Sequence, residues 1–194
     1  MNSIGGSRCR ASYGAESVRL WDGDTGEVAS FTTRFSFVIN PPPPLGINNK
    51  GTGTAFFLAA YPSSLPAESA AYNMGLTNQA PDAGAPGNAR FVAVEFDHVG
   101  IDVNSIRSVA TLSLDSFRLV GKLTAKITYD NISSVLALKL WLRTGPGDGT
   151  DGLPSYNLID QERVAGERLR WLLRLHVHIH RAASAAFLVL QLVT

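Results

Sequence analysis

The chain has 194 residues, 45% of them hydrophobic and 17% charged, with a net charge of +1. That length allows one domain with a sizeable core and argues against two, and the near-neutral balance gives no ground for nucleic acid or an anionic membrane as partner. A lone cysteine, Cys9, excludes an internal disulfide.

The opening MNSIGGSRCRASYG has no apolar run of the kind a secretory leader needs, so none is expected in the sequence as given. Val18–Trp21 is a short apolar run, followed by turn chemistry at Asp22–Gly26. Glu27–Ile39 then alternates, with Phe31, Thr33, Phe35, Phe37 and Ile39 on one face, which predicts a half-buried strand. Pro41–Pro44 ends it in a stiff extended loop without ladder donors. Lys50–Ala60 reads as a glycine-punctuated turn feeding a strand buried on both faces. Residues 61–90, rich in Pro, Ser, Ala, Asn and Gly, form a long irregular excursion, and loops of that length are uncommon unless functional or disordered.

Phe91–Ser108 reads as a buried strand, a very short turn and a second strand. Phe91, Ala93, Glu95 and Asp97 share one face of the first strand, and Val92, Val94 and Phe96 the other. Two carboxylates at that spacing with His98 directly after suit a metal or acid–base chemistry. The alternative is a solvated pair, or a pair held by a neighbouring arginine. Further strands are expected at Ala110–Leu114 with Phe117–Leu119, at Leu123–Tyr129 and at Val135–Arg143, separated by Gly121 and Asp130-Asn131. Strands at such intervals with polar turns indicate an all-β sandwich or barrel. Trp21 and Trp141 read as core or sheet-packing residues.

The stretches SVRLWDGDTGEVASFTTRFSFVI, GTGTAFFLAAYPSSLP, MGLTN, RFVAVEFD, HVGIDVNSIRSV and LTAKITYDNISSVLALKLWL, in this order, resemble the legume (L-type) lectin domain. The nearest likeness is to the extracellular domain of plant lectin-domain receptor kinases, although no kinase signature is present. The resemblance implies an incomplete jelly-roll (concanavalin-like) sandwich of antiparallel sheets over 10–168 and carbohydrate binding without enzymatic activity. It also implies calcium and manganese beside a shallow sugar site. A homodimer through the sheets, and an extracellular or plasma-membrane-associated location, follow from the same likeness. By that resemblance Glu95, Asp97 and His98 correspond to the transition-metal ligands, and Ser108 to the residue holding a metal-bound water.

This chain departs from the family where the sites lie. The family has a long loop between VEFD and HVGID that carries calcium ligands, a sugar-binding asparagine and a stacking aromatic ring; here Asp97 abuts His98. Calcium takes about six to eight oxygens, which the remaining residues do not supply, so neither ion is expected to bind well. In an undistorted strand Asp97 and His98 would point to opposite faces, and a sharp turn would be needed to bring them together. The family's sugar-binding aspartate in its Gly-Asp-Gly turn is Thr52 here, and a hydroxyl does not replace an ionised carboxylate. Ala71 stands where the family has a glycine whose N–H donates to sugar; the donor remains, and close approach is hindered.

From about Leu169 the family's ending is not visible. A permissible codon choice for Arg170–Thr194, read one base later, spells GGFSASTSTSIELHQLLSWSFNSS, the ending the family would have, so 169–194 is expected to be a frame-shifted tail. His176, His178 and His180 would share a strand face and resemble a zinc site, but in such a tail no evolved face is expected. The charges interleaved with Leu and Trp over Val164–Leu175 leave a helix open there. The tail's most apolar segment, Ala182–Val193, is shorter than the roughly 20 residues a membrane span needs. Asn131-Ile132-Ser133 is a glycosylation sequon whose Asp-Asn chemistry also suits a turn. A glucanase-like glycosidase would need a further acid soon after Asp97, to set two carboxyls roughly 5–5.5 Å apart; His98, Val99 and Gly100 stand there instead, so no enzyme is expected. The two readings carried forward are a carbohydrate-binding module with impaired sites and a degenerate lectin-like protein with at most a protein-interaction role.

Overall fold

The structure, a computed structural model, describes residues 9–11, 20, 22, 24–25, 27–39, 53–59, 63–80, 83–112, 121–143, 155–159 and 189–193. Trp21, the Pro41–Pro44 run, Thr52, Phe117–Leu119, Val164–Leu175 and the three tail histidines lie outside the described residues. Nine strands are described: β1 (Phe31–Ile39), β2 (Gly53–Ala59), β3 (Phe91–Phe96), β4 (Val99–Val103), β5 (Ser108–Leu112), β6 (Gly121–Asp130), β7 (Val135–Arg143), β8 (Ser155–Ile159) and β9 (Val189–Val193). They form two antiparallel sheets, ordered β1-β6-β7-β8 and β5-β4-β3-β2-β9. This is the all-β sandwich expected from the spacing of strands and turns.

Alternation decides which side chains meet between the sheets. Phe31, Thr33, Phe35 and Phe37 are half-buried and Ile39 buried, while Thr32, Arg34, Ser36 and Val38 are exposed. Phe35 stacks on Phe56 of the opposite sheet at 5.8 Å, and Phe37 meets Phe96 at 4.9 Å. Leu123, Ala125 and Ile127 of β6 and Leu136, Leu138 and Leu140 of β7 complete this core. Stacked sheets lie about 10 Å apart, and these large apolar side chains fill that gap.

The other face of β2 and β3 is covered as well. Ala55, Phe57, Phe91 and Ala93 pack on Met74, Leu76 and Ala85 of the 63–90 excursion, which forms a third layer over the five-stranded sheet. Arg10 fastens that layer. Its guanidinium donates to Ser63 Oγ and Ser64 O at 2.7 Å and to Gly75 O, and lies 4.5 Å over the Phe57 ring. The two-sided burial of β2 and β3 therefore has one cause on each side: the opposite sheet and the excursion.

Two elements differ from expectation. β8 pairs with β7 at Ala137–Trp141, although no strand was expected at Ser155–Ile159. In the tail, Val189–Val193 forms β9, pairing with Gly53–Phe57. Its apolar, β-branched VLQLV segment suits a strand, and β2 presents an edge whose N–H and C=O groups it satisfies. Trp141 is a sheet-packing residue, but on the outer face: Arg34 lies 5.4 Å and Lys139 5.3 Å from its ring centroid. Among the described residues no helix is long and apolar enough to cross a membrane.

Candidate metal centre

β3 and β4 are joined by the tightest of hairpins. Phe96 pairs with Val99, so Asp97 and His98 are the two turn residues. Reversal at this point removes the geometric objection drawn from an undistorted strand, because the turn carries both side chains to the same side. His98 Nδ1 lies 2.6 Å from Asp97 Oδ1, and His98 Nε2 lies 2.7 Å from Glu95 Oε1. Ser108 Oγ donates to Glu95 Oε1 at 2.7 Å and stands 3.3 Å from His98 Nε2. The ligand atoms of Glu95, Asp97 and His98 fall within 4.8 Å of one another.

Glu95 is only 2% exposed, which rules out the solvated-pair reading for it. β3 lies inside its sheet between β2 and β4, and the excursion covers the face on which Glu95 stands. Asp97 and His98, at the end of the hairpin, remain partly open to solvent, with side chains 34% and 47% exposed. The imidazole sits between two carboxylates. Hydrogen bonding to Asp97, and then to Glu95, raises its pKa from 6.5 to about 10, against the opposing effect of burial. A metal at this position would compete with the proton on the imidazole.

Two glycines make room for the cluster. A Cβ on Gly53, whose φ is +110°, would lie 2.7 Å from Asp97 Cβ and 2.9 Å from its backbone. A Cβ on Gly100 would lie 2.7 Å from Glu95 Oε1 and press directly on Ser108 Oγ.

Sequence reasoning missed one member. Asp102 is fully buried on β4, in register with Ala93 and Ser108. Burial, and then the charge of Glu95, raises its pKa from 3.8 to about 8. Neither carboxyl oxygen has a partner in hydrogen-bond geometry. The signal was present: Glu95 pairs with Gly100, and strand period places Asp102 on the same face two residues later.

Two carboxylates and an imidazole, reinforced by Ser108, fit a transition metal such as manganese with open positions for water. Glu95, Asp97 and His98 would hold it, and Ser108 would orient a bound water. The described residues do not make up a calcium site. Among the described residues this is the one group of three such side chains, and it lacks the oxygens calcium requires. Of the remaining expected positions, Ala71 opens a 3-10 turn, Ala71–Asn73, on the excursion, with φ at 55° and its side chain exposed. Asn131 lies in the β6–β7 turn, where its Oδ1 accepts from Ser30 Oγ at 2.7 Å and its neighbour Ile132 is 91% exposed.

Comparison with known proteins agrees with this architecture. A family model described as the legume lectin domain matches residues 2–160. Anti-H(O) lectin 2 of Ulex europaeus is 35% identical over 173 residues, covering 81% of this chain and 66% of that protein. Lectin 7 of Medicago truncatula is 44% identical over 126 residues, covering 57% of this chain and 46% of that protein. The solved structure of lectin II from Ulex europaeus superposes with a TM-score of 0.71 at 29% identity, over 100% of this chain and 76% of that one. The chain thus spans about half to two thirds of the length of the curated relatives it matches.

Proposed function

This chain belongs to the legume lectin family, and from that membership we propose that it is a carbohydrate-binding domain by descent that retains one transition-metal position and has lost ordinary calcium and monosaccharide binding. The family is carbohydrate-binding and non-enzymatic. The observation that carries the reading is the two-residue closure between Phe96 and Val99. It keeps Glu95, Asp97 and His98 together and leaves no chain in which calcium ligands or a sugar-stacking ring could stand. The substitutions at Thr52 and Ala71 support the same conclusion from the sugar side. Ala71 occupies a backbone conformation that glycine adopts freely and that costs an L-residue about 1–2 kcal/mol.

Calorimetric titration tests the proposal. One manganese ion is expected to bind, dependent on His98 and abolished by His98→Gln, with no calcium site and no saturable binding of simple sugars. Chelator-sensitive, saturable sugar binding would overturn it. Descent also supports an extracellular or plasma-membrane-associated setting. There the sequon at Asn131, on an exposed turn, would be the glycan acceptor; a glycosidase-sensitive mass shift on secretion, lost in Asn131→Gln, is its check.

A further inference from the structure

The outer face of the four-stranded sheet carries an arrangement that folding does not call for. Arg34 of β1 is paired in register with Lys126 of β6, which is paired with Lys139 of β7. All three are exposed on the same face. Like charges directly opposite one another destabilise a sheet. The neighbouring rows show what an untroubled surface looks like here: Ser36 is paired with Thr124, their hydroxyls 2.8 Å apart, and Thr32 with Thr128. Lys122 adds a fourth exposed cation on the same face of β6. Trp141 lies under two of the cations, its ring 5.4 Å from the Arg34 guanidinium and 5.3 Å from the Lys139 ammonium, and holds them over one aromatic plate.

Among the described residues no counter-charge stands on the row. The acid on the described outer strands is Asp130, at the end of β6, and its carboxylate is engaged by Ser133 Oγ and the backbone of Ile132. In a chain of net charge +1, positive charge has been gathered on one face of this sheet. We propose that this face docks a linear anionic polysaccharide, one bearing a carboxylate or sulfate on successive sugar rings.

Three features favour that occupant. The cations recur at one interstrand step, about 4.8 Å, comparable to the length of one pyranose ring, so successive rings present successive charges. A nucleic-acid strand carries its charges at a different interval, about 3.4 Å along the duplex axis. The adjacent Ser36 and Thr124 hydroxyls suit a ligand that carries hydroxyl groups as well as charge. A second copy is the poorer occupant, because isologous pairing would bring cations against cations. The face is remote in topology from the Glu95 cluster, which belongs to the other sheet, so the inference does not depend on the metal reading.

The experiment uses the full chain with sodium polygalacturonate, dextran and a DNA duplex as probes, in chelator and over a range of salt. Saturable binding to polygalacturonate, absent with dextran and unaffected by chelator, is expected. Lys126→Glu with Lys139→Glu should weaken it at least about tenfold and flatten the dependence of log K on log salt. Lys126→Glu alone turns two repulsive pairs into attractive ones, so it is expected to fold at least as stably as the parent while binding more weakly. Lys126→Gln supplies the same test without charge reversal. Absence of polygalacturonate binding, equal binding by the variants, or equally tight binding of the duplex would each overturn the proposal. So would a sedimenting dimer dissociated by Lys126→Glu, which would give the face to a second copy.

Discussion

Gly100→Ala is the sharpest probe of how the cluster is built. The added methyl would lie 2.7 Å from Glu95 Oε1 and 3.1 Å from Ser108 Cβ, and would overlap Ser108 Oγ. Glu95 is buried on a central strand and has little room to yield, so the hydroxyl of Ser108 is the group that must move, breaking its bond to Glu95. A hydrogen bond to a charged group contributes about 1.5–3 kcal/mol, and overpacking costs about 1–3 kcal/mol. A loss of about 2.5–6 kcal/mol is therefore expected in urea unfolding of the chelated protein, together with about a 10–100-fold loss of manganese affinity from disturbing a group that orients a ligand. Ser108→Ala alone should lose the hydrogen bond and leave space. In that background Gly100→Ala should cost less by at least about 1 kcal/mol, its 2.7 Å contact with Glu95 Oε1 remaining. Equal costs of Gly100→Ala in both backgrounds would refute the reasoning, since the methyl would then be striking something other than the Ser108–Glu95 contact.

Gly53→Ala should be worse tolerated, because its Cβ meets the backbone of Asp97 and its φ is +110°; a loss above about 2 kcal/mol and a disturbed manganese isotherm are expected. Ala71→Gly runs against the usual sign: with φ at 55°, glycine should raise the free energy of urea unfolding by up to about 1 kcal/mol. Phe96→Ala, at a fully buried ring that meets Phe35 and Phe37 across the sandwich, should cost about 3–5 kcal/mol. The pH dependence follows from two raised pKa values. His98 holds its proton to about 10 in the fold against 6.5 ordinarily, so its contribution is complete below about 6.5 and is lost as pH rises toward 10. Asp102, raised from 3.8 to about 8, contributes fully below 3.8 and loses that contribution as pH rises to 8. The chelated protein should therefore melt at falling temperature from pH 6.5 to 9, with a shallower slope in His98→Gln. Manganese affinity should rise over the same range, because the metal needs the neutral imidazole.

Much of this molecule is written in its order of residues. The alternation of Phe31–Ile39, the two-sided apolar runs of β2 and β3, and the turn residues between them specify a sandwich, because strand period alone decides which side chains face inward. The family match and the identity of Glu95, Asp97, His98 and Ser108 as a group are equally legible, since they rest on short ordered motifs. What the order of residues leaves open is whether adjacent side chains converge. Asp97 and His98 point apart in a strand and together in a two-residue turn, and the pairing of Phe96 with Val99 decides between them. Asp102, four positions after His98, joins the cluster through its register with Ala93 and Ser108. The row Arg34–Lys126–Lys139 spans more than a hundred residues of chain and exists only because three strands are neighbours. Local pattern fixes which face a residue occupies; long-range pairing fixes which charges share it, and that is where the chemistry of this chain was decided.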